Sequence, residues 1–207
     1  MTRILGISGS LRRDSHNTSL LRAAAEAAGP DIEFVLYDGL KQIPPYDEDD
    51  DVHPRPPSVA RLNEAITSAD AVLFSTPEYN SSIPGQLKNA IDWVSRPVAT
   101  NALRNKPVAV VGASTGGFGA VWAQAELRKV LSALGARVLD VELPVPHAHT
   151  RFEDGGLTDD EIRAALEDVL EALTDAAEQR EGLKASVCCG STPRQLRLPG
   201  FPSPRWT

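Results

Sequence analysis

The sequence of 207 residues predicts a three-layer α/β sandwich around a five-stranded parallel sheet. Short apolar runs alternate with helical patterns along the chain, which is typical of β-α-β units. Apolar residues make up 42 % of the chain and charged residues 24 %, which is a globular composition. A chain of this length buries about 70 % of the surface that it exposes when unfolded. We expect the strand order 2-1-3-4-5.

Five short apolar runs mark the strands. In order they are Ile4 to Ile7, Ile32 to Tyr37, Ala71 to Ser75, Val108 to Val111 and Arg137 to Val141. Because each pair of runs is separated by a helical pattern, we expect the strands to pair in parallel.

Five helices fill the intervals between and after the strands. We expect Asn17 or Thr18 to cap the first and Ser58 to cap the second. Apolar residues at Leu87, Ala90, Ile91 and Val94 mark the third, and the fourth runs from Trp122 to Leu134. Thr158 to Glu161 forms a capping box for the last. Trp93 and Trp122 lie on helices, so we expect them to pack in the core or an interface.

Charge and hydropathy exclude two classes of partner. The net charge of −7 argues against nucleic-acid binding, which depends on clustered Lys and Arg. The uncharged stretch from Pro107 to Ala125 has glycines at its centre, which predicts a strand, a turn and a helix start rather than a membrane span. The N-terminus lacks the apolar segment of a signal peptide, so we expect a cytoplasmic protein.

The last residues of the chain differ from the rest. Residues 181–207 are rich in Pro and Gly and carry excess positive charge, so we predict a domain over 1–180 followed by a flexible tail. The only cysteines, Cys188 and Cys189, are adjacent, and such neighbours rarely form an unstrained disulfide.

A long acidic loop interrupts the domain between Ile43 and Pro57. It contains the acidic run Asp47 to Asp51 and then His53. Consecutive carboxylates in a Pro-rich loop are usually solvated, so we predict no metal site there. His147 and His149 also lack a third ligand at metal-binding spacing.

Three unusual loops follow strands 1, 3 and 4, at the sheet edge where ligands bind in this topology. They cover 8–17, 76–84 and 113–119. The first runs into a helix N-terminus, whose free backbone N–H groups suit a phosphate. Ser10, Ser15 and Asn17 add short donors, and Arg12 adds a charged one.

The third loop permits a second interpretation. Gly112 to Gly116 matches the G-x-S-x-G nucleophile elbow, and Asp140 and His147 follow in hydrolase order. A serine hydrolase using Ser114 is therefore an alternative. It leaves the first two loops without a role.

The loop motifs resemble the NADPH-dependent FMN reductase family, which includes bacterial quinone, chromate and azo reductases. The resemblance rests on Gly9-Ser10-Leu11-Arg12, on Thr76-Pro77-Glu78-Tyr79-Asn80 and its continuation through Ile83-Pro84-Gly85, on Lys88 to Trp93 and on the Gly-rich third loop. It spans about residues 3–175. It implies a flavodoxin-like fold, non-covalent FMN, NADPH or NADH as electron donor, and a homodimer or homotetramer.

The resemblance also implies roles for individual residues. The FMN phosphate would be held by Ser10, Arg12, Ser15, His16 and Asn17. The ring system and ribityl chain would be lined by Pro77, Glu78, Tyr79 and Asn80. Ser114, Gly116 and Gly117 would approach the polar edge of the ring.

If FMN is bound, the hydride chemistry belongs to the cofactor, so no catalytic side chain is predicted. We expect a ping-pong cycle in which the nicotinamide and then the acceptor occupy one place. The acceptor could be a quinone, an azo or nitro compound, chromate or a free flavin. A non-enzymatic electron carrier that keeps the FMN loops is the other alternative.

Overall fold

A five-stranded parallel sheet forms the centre of the fold in the computed structural model, which describes residues 1–189 and the side chains up to Arg180. The strands are β1 (Thr2–Ser8), β2 (Ile32–Tyr37), β3 (Ala71–Ser75), β4 (Pro107–Ala113) and β5 (Arg137–Val145). They pair in parallel in the order β2-β1-β3-β4-β5. The predicted fold class and strand order are confirmed.

Five helices cover the two faces of the sheet. They are α1 (His16–Ala27), α2 (Pro57–Ser68), α3 (Gly85–Val94), α4 (Val121–Ala133) and α5 (Asp160–Cys189). Helices α1 and α5 pack on one face through side chains such as Leu20 and Leu170. Helices α2, α3 and α4 pack on the other through Ile66, Ile91 and Leu127. Each such fully buried side chain contributes about 1.5–3 kcal/mol, which gives the sheet a core on each side.

Helix α1 begins earlier than the sequence indicates. Its cap is Ser15, whose Oγ accepts a hydrogen bond from the backbone N–H of Thr18 at 3.3 Å. The prediction of Asn17 or Thr18 as the cap is therefore wrong. The earlier start places Asn17 inside the first turn, where it is buried.

Two other predicted caps are also displaced. Helix α2 begins at Pro57, a position that suits proline because the first helical N–H needs no partner, so Ser58 is not the cap. Helix α5 is capped by Asp159, whose Oδ1 accepts from the N–H groups of Glu161 and Ile162. Thr158 instead donates its hydroxyl to a backbone carbonyl of the preceding loop.

Strand β5 is longer than predicted and is followed by an unpredicted hairpin. Its last four residues, Pro144 among them, pair with β4 as far as Val145. Proline is tolerated there because β5 is an edge strand. After it, β6 (Phe152–Glu153) and β7 (Gly156–Leu157) form a two-residue hairpin around Asp154-Gly155, both with positive φ. An Asp-Gly pair is a strong turn signal for such a hairpin.

Helix α5 continues to Cys189, nine residues beyond the predicted domain boundary. The predicted boundary between the domain and the tail therefore falls inside this helix. The flexibility predicted for the rest of the tail concerns residues 190–207, which lie outside the described part of the chain. No helix within residues 1–189 combines the length and the apolar composition that crossing a membrane requires.

Candidate functional site

The three loops converge on one cleft at the carboxyl ends of β1, β3 and β4. The cleft has a volume of about 120 Å³ and opens to solvent. It is lined by Ser10, Arg12, Ser15, His16, Asn17, Pro77, Glu78, Tyr79, Ala113, Ser114 and Thr115. The sequence did not single out Ala113 or Thr115. The predicted residues Asn80, Gly116 and Gly117 are not part of this lining.

The first loop is held by short polar contacts and by close packing. Ser8 Oγ accepts from the N–H of Ser10, and Ser10 Oγ accepts from the N–H of Arg12, each at 3.4 Å. A Cβ on Gly9 would lie 2.8 Å from Leu87 Cδ2, so the Leu87 side chain would have to move if a larger residue stood here. The loop therefore reaches the cleft in a fixed path.

The N-terminus of α1 opens into the cleft with unused donors. Within the described residues, the backbone N–H groups of His16 and Asn17 make no hydrogen bond. Ser15 Oγ acts only as an acceptor toward the helix, so its hydroxyl proton remains for a ligand. Together with the positive end of the helix dipole, these donors form an anion-binding site.

Asn17 holds three elements together beneath the cleft. Its Nδ2 donates to the carbonyl of Ala113 at 2.9 Å, and its Oδ1 accepts from the N–H of Ala113 and the Oγ of Ser75, both at 2.9 Å. The residue is 3 % exposed. Its side-chain amide therefore ties α1 to the ends of β3 and β4. Its backbone N–H, rather than its amide group, faces the anion site.

Positive charge surrounds the same end of the cleft. Arg12 is exposed, and His16 stacks on Phe152 with ring centroids 5.7 Å apart. Burial lowers the pKa of His16, and the nearby charges of Arg12 and His149 lower that pKa further. An anion at this place would relieve that repulsion. Phe152 and His149 come from the region after β5, which the sequence did not connect with the cleft.

The second loop turns back sharply at Asn80. Tyr79 and Ser82 exchange backbone hydrogen bonds of 3.0 and 3.1 Å, and the two residues between them have φ of 52° and 59°. These are the angles of a type I′ turn, and asparagine tolerates them well. Asn80 therefore sits at the tip of the turn, while Tyr79 remains on the cleft wall.

Glu78 connects the second loop to α4. Its Oε2 accepts from the N–H groups of Trp122 and Ala123 at 3.1 and 3.2 Å. Helix α4 has no side-chain cap of its own, because its cap residue is Ala120 in the left-handed conformation. Glu78 therefore supplies the cap from another loop. Its carboxylate points at the helix, so its predicted contact with a ligand would be made by other atoms.

The third loop is fastened to the segment that follows β5. Ser114 donates its N–H to the carbonyl of Val145, and its own carbonyl accepts from Ala148. Gly116 accepts from the N–H of His147 at 3.0 Å. Gly119 has a φ of 59°, and a Cβ there would lie 2.6 Å from the backbone nitrogen of Val145. Glycine is therefore required where the loop enters α4.

The side chains of a hydrolase triad do not assemble. Ser114 Oγ accepts from the N–H of Gly116 at 3.1 Å, and the described residues include no hydrogen bond from Ser114 to His147. Asp140 pairs with Arg128 at 2.7 Å instead of orienting a histidine. The geometry gives Ser114 no general base, so the hydrolase alternative is not supported.

The acidic loop lies apart from this cleft. Its last carboxylate, Asp51, pairs with Arg55 at 2.8 Å, and both side chains are only 12 % exposed. The expectation that the whole acidic run is solvated is therefore wrong for Asp51. Trp93 is buried as predicted and donates its Nε1–H to the carbonyl of Pro44, whereas Trp122 is 48 % exposed.

The donor set of the cleft fits FMN. Free helix N–H groups, hydroxyls and one guanidinium match a phosphate at one end. Further along, the N–H group of Thr115 makes no hydrogen bond within the described residues and can face the polar edge of a flat ring. A parallel sheet in this order with a ligand site at its switch point is typical of flavodoxin-like proteins.

Comparisons with known proteins give the family. The model of the NADPH-dependent FMN reductase family matches residues 2–150. The chain is 43 % identical over 173 residues to the NAD(P)H-dependent FMN reductase of Pseudomonas aeruginosa, covering 83 % of this chain and 92 % of that one. It is 38 % identical to the 2-hydroxy-1,4-benzoquinone reductase of a Burkholderia species, over 80 % of this chain and 90 % of that one.

A solved structure agrees with the sequence relatives. FerB, a flavoenzyme NAD(P)H:(acceptor) oxidoreductase from Paracoccus denitrificans, superposes with a TM-score of 0.75 at 37 % identity, covering 86 % of this chain and 98 % of that one. The chain belongs to the NADPH-dependent FMN reductase family. It is an NAD(P)H-dependent oxidoreductase with FMN as its cofactor, as the sequence predicted.

Proposed function

We propose that this enzyme reduces quinones with electrons from NAD(P)H. The observation that carries the proposal is the convergence of the three loops on one cleft with an anion site at one end. Relatives at 38 % identity are named quinone reductases, among them those of Pseudomonas putida and a Burkholderia species.

The phosphate end of the cofactor would lie at the N-terminus of α1. Arg12 would contribute the positive charge. The hydroxyls of Ser10 and Ser15 and the N–H groups of His16 and Asn17 would donate hydrogen bonds to the phosphate. Each charge-assisted hydrogen bond of this kind is worth about 1.5–3 kcal/mol. This arrangement selects a phosphorylated flavin over one that lacks phosphate.

The ring system would lie between the second and third loops. Pro77 and Tyr79 form one wall, and Ser114 and Thr115 form the other. The free N–H of Thr115 is placed to stabilise negative charge that develops on the ring during reduction. Glu78 acts on the site indirectly, because it fixes the second loop to α4.

The cofactor would supply the hydride chemistry when bound, so that NAD(P)H, one proton and a quinone would give NAD(P)⁺ and a hydroquinone. The chain's own side chains bind and orient the reactants, and none has to act as an acid or base in the first transfer. We infer that donor and acceptor use the same place in turn, which gives ping-pong kinetics.

Anaerobic spectroscopy and steady-state kinetics test this function. NADPH or NADH should bleach the flavin absorbance, and a stoichiometric quinone should restore it. Double-reciprocal plots at several quinone concentrations should be parallel. A flavin that neither nucleotide bleaches would indicate an electron carrier and contradict the enzyme assignment. Intersecting lines would contradict the ping-pong cycle but not the quinone reductase activity. The homo-oligomeric state and the cytoplasmic location stay predictions.

A further inference from the structure

One histidine lines the cleft, and histidine is the side chain that changes charge near neutral pH. His16 is the first residue of α1, so it stands beside the free N–H groups at the anion end of the cleft. Its ring stacks on Phe152, with centroids 5.7 Å apart and planes inclined by 26°. Neither ring nitrogen makes a hydrogen bond or an ion pair within the described residues, so both are available to a ligand.

The charges around His16 favour its neutral form in the free protein. Burial lowers the pKa of His16 most, and the positive charges of Arg12 on the first loop and His149 after β5 lower that pKa further. Both neighbours oppose the addition of a proton to the ring. The imidazole therefore stands in a cationic cluster that a bound anion would balance.

Two acidic side chains lie near His16 in the chain or the fold, and neither offsets this repulsion. Asp14 is exposed and adjoins the opposite charge of Arg13. Glu153 follows Phe152 on β6, and because successive side chains of a strand alternate, it lies on the opposite face of the hairpin. The repulsion within the cationic cluster therefore decides the protonation of the free site.

The phosphate of FMN would reverse this preference. A phosphate monoester carries a charge of about −1.5 to −2 at pH 7, and its second pKa is about 6. A dianion beside the imidazole favours the protonated ring, whose N–H then donates a charge-assisted hydrogen bond to a phosphate oxygen. Such a bond strengthens binding about 10- to 100-fold. The free site and the FMN-bound site therefore differ in the number of protons that they hold.

We propose that His16 takes up a proton from solvent when FMN binds, so that the protein holds its cofactor more tightly at pH 6.5 than at pH 8.5. The inference rests on the proposed function, which places the FMN phosphate at the N-terminus of α1, and it adds a regulation of that site by pH. The proton joins the unprotonated ring nitrogen, and the phosphate stays a dianion. At pH 8.5 only Arg12, the hydroxyls and the backbone N–H groups hold the phosphate.

Stepwise dilution of the flavin-loaded protein, with free flavin measured by fluorescence, gives the affinity. The dissociation constant of FMN should be about 10-fold higher at pH 8.5 than at pH 6.5, and that of riboflavin, which lacks the phosphate, should not change. His16→Phe keeps a ring that can stack on Phe152 but holds no proton, so its FMN affinity should stay near the wild-type value at pH 8.5 throughout. His16→Gln removes the ring as well and should lose the pH dependence in the same way. His53→Gln changes a histidine in a separate groove and should match the wild type.

Calorimetry counts the proton directly. At pH 7.5 the heat of FMN binding to the apoprotein should differ between HEPES and Tris, whose ionisation enthalpies differ, in the direction of proton uptake. Riboflavin with the wild type, and FMN with His16→Phe, should show no uptake. Wild-type heats that reveal no uptake, or an equal pH dependence of FMN affinity in the wild type and His16→Phe, would overturn the inference. An FMN-loaded protein that neither NADPH nor NADH bleaches would refute the proposed function, and the buffer-dependent heat would still support the proton uptake.

Discussion

The floor and the rim of the cleft differ in burial and in hydrogen bonding. The floor is the set Asn17, Ser75 and Ala113, in which each polar group is buried and paired at 2.9 Å. The rim is the pair Arg12 and Tyr79, which line the cleft and are exposed to solvent.

The buried residues of the floor maintain the structure of the site, whereas the exposed residues of the rim are available to bind a ligand. A buried polar side chain whose hydrogen bonds are satisfied within the protein shapes the site, and its loss leaves partners unpaired at a cost of about 1–3 kcal/mol each. An exposed side chain contributes little to stability and is free to contact a ligand. Changes in the floor should therefore alter folding and binding together, and changes in the rim should alter binding alone.

The largest effect is expected at Asn17. Asn17→Ala leaves both polar groups of Ala113 and the hydroxyl of Ser75 without their partner, so the free energy of unfolding should fall by about 3 kcal/mol. For a chain of this size that lowers Tm by about 6–12 °C, and FMN affinity should fall with it. Calorimetry of the apoprotein measures the first change.

The control is Asn63→Ala on α2, a residue whose side chain makes no hydrogen bond within the described part of the chain. Its Tm should stay within about 1–2 °C of the wild type, as for an ordinary surface substitution. If Asn17→Ala were as stable as this control, the floor would not be a structural unit.

Substitution of Arg12 tests whether an exposed residue of the rim contributes to binding but not to stability. Arg12→Ala removes a charge-assisted contact to the phosphate, so FMN affinity should fall about 10- to 100-fold, corresponding to about 1.5–3 kcal/mol. The Tm of the apoprotein should not change, because the guanidinium is exposed and forms no ion pair among the described residues. Fluorescence titration with FMN gives the affinity. A variant that lost stability but kept its affinity would reverse the assignment of Arg12 to the rim.

Glu78 lies between floor and rim, and its effect should be intermediate. Glu78→Ala removes the cap of α4 and should destabilise the protein by about 1 kcal/mol. Glu78→Gln keeps an acceptor oxygen and should recover most of that loss. Because the cap also positions the second loop, Glu78→Ala should weaken FMN binding a few-fold. Equal stability of the Ala and Gln variants would show that the cap contributes nothing.

The smallest effect should be a pH dependence at His16. Because burial, Arg12 and His149 lower its pKa in the folded apoprotein, the unfolded chain binds a proton more readily. Stability from this source is present above the ordinary histidine pKa of about 6.5 and is lost as the pH falls toward the lowered value.

Urea denaturation of the apoprotein at a series of pH values measures this dependence. His16→Gln should have a flatter stability profile between pH 7 and pH 5 than the wild type. FMN should reduce the difference between the two proteins, because a phosphate favours the protonated imidazole. Parallel profiles for the two apoproteins would contradict the placement of His16 in a cationic cluster.

Much of this molecule could be predicted from local patterns. The alternation of apolar runs gave the sheet and its order, and the position of three loops after β1, β3 and β4 located the cleft. Both depend on chain connectivity and strand topology, which short sequence segments reveal. Glu78, Tyr79 and Arg12 stand in compact motifs, and all three line the cleft.

Interactions between distant segments could not be predicted in this way. The cap of α4 comes from Glu78, 44 residues before Trp122, and the only local hint is that no capping side chain precedes the helix. Asn17 resembled a phosphate ligand because it stands in a polar loop. Its side-chain amide instead forms a hydrogen bond with Ala113, 96 residues further along the chain. Such roles depend on which loops meet in space.

The comparison of FMN with riboflavin tests the central claim most directly, since riboflavin differs from FMN in lacking the phosphate. If the N-terminus of α1 and Arg12 hold that phosphate, wild-type apoprotein should bind FMN at least about 100-fold more tightly than riboflavin. Arg12→Ala should reduce that ratio about 10-fold or more while leaving riboflavin affinity unchanged. A wild-type ratio near one, or a ratio that Arg12→Ala does not alter, would contradict the account.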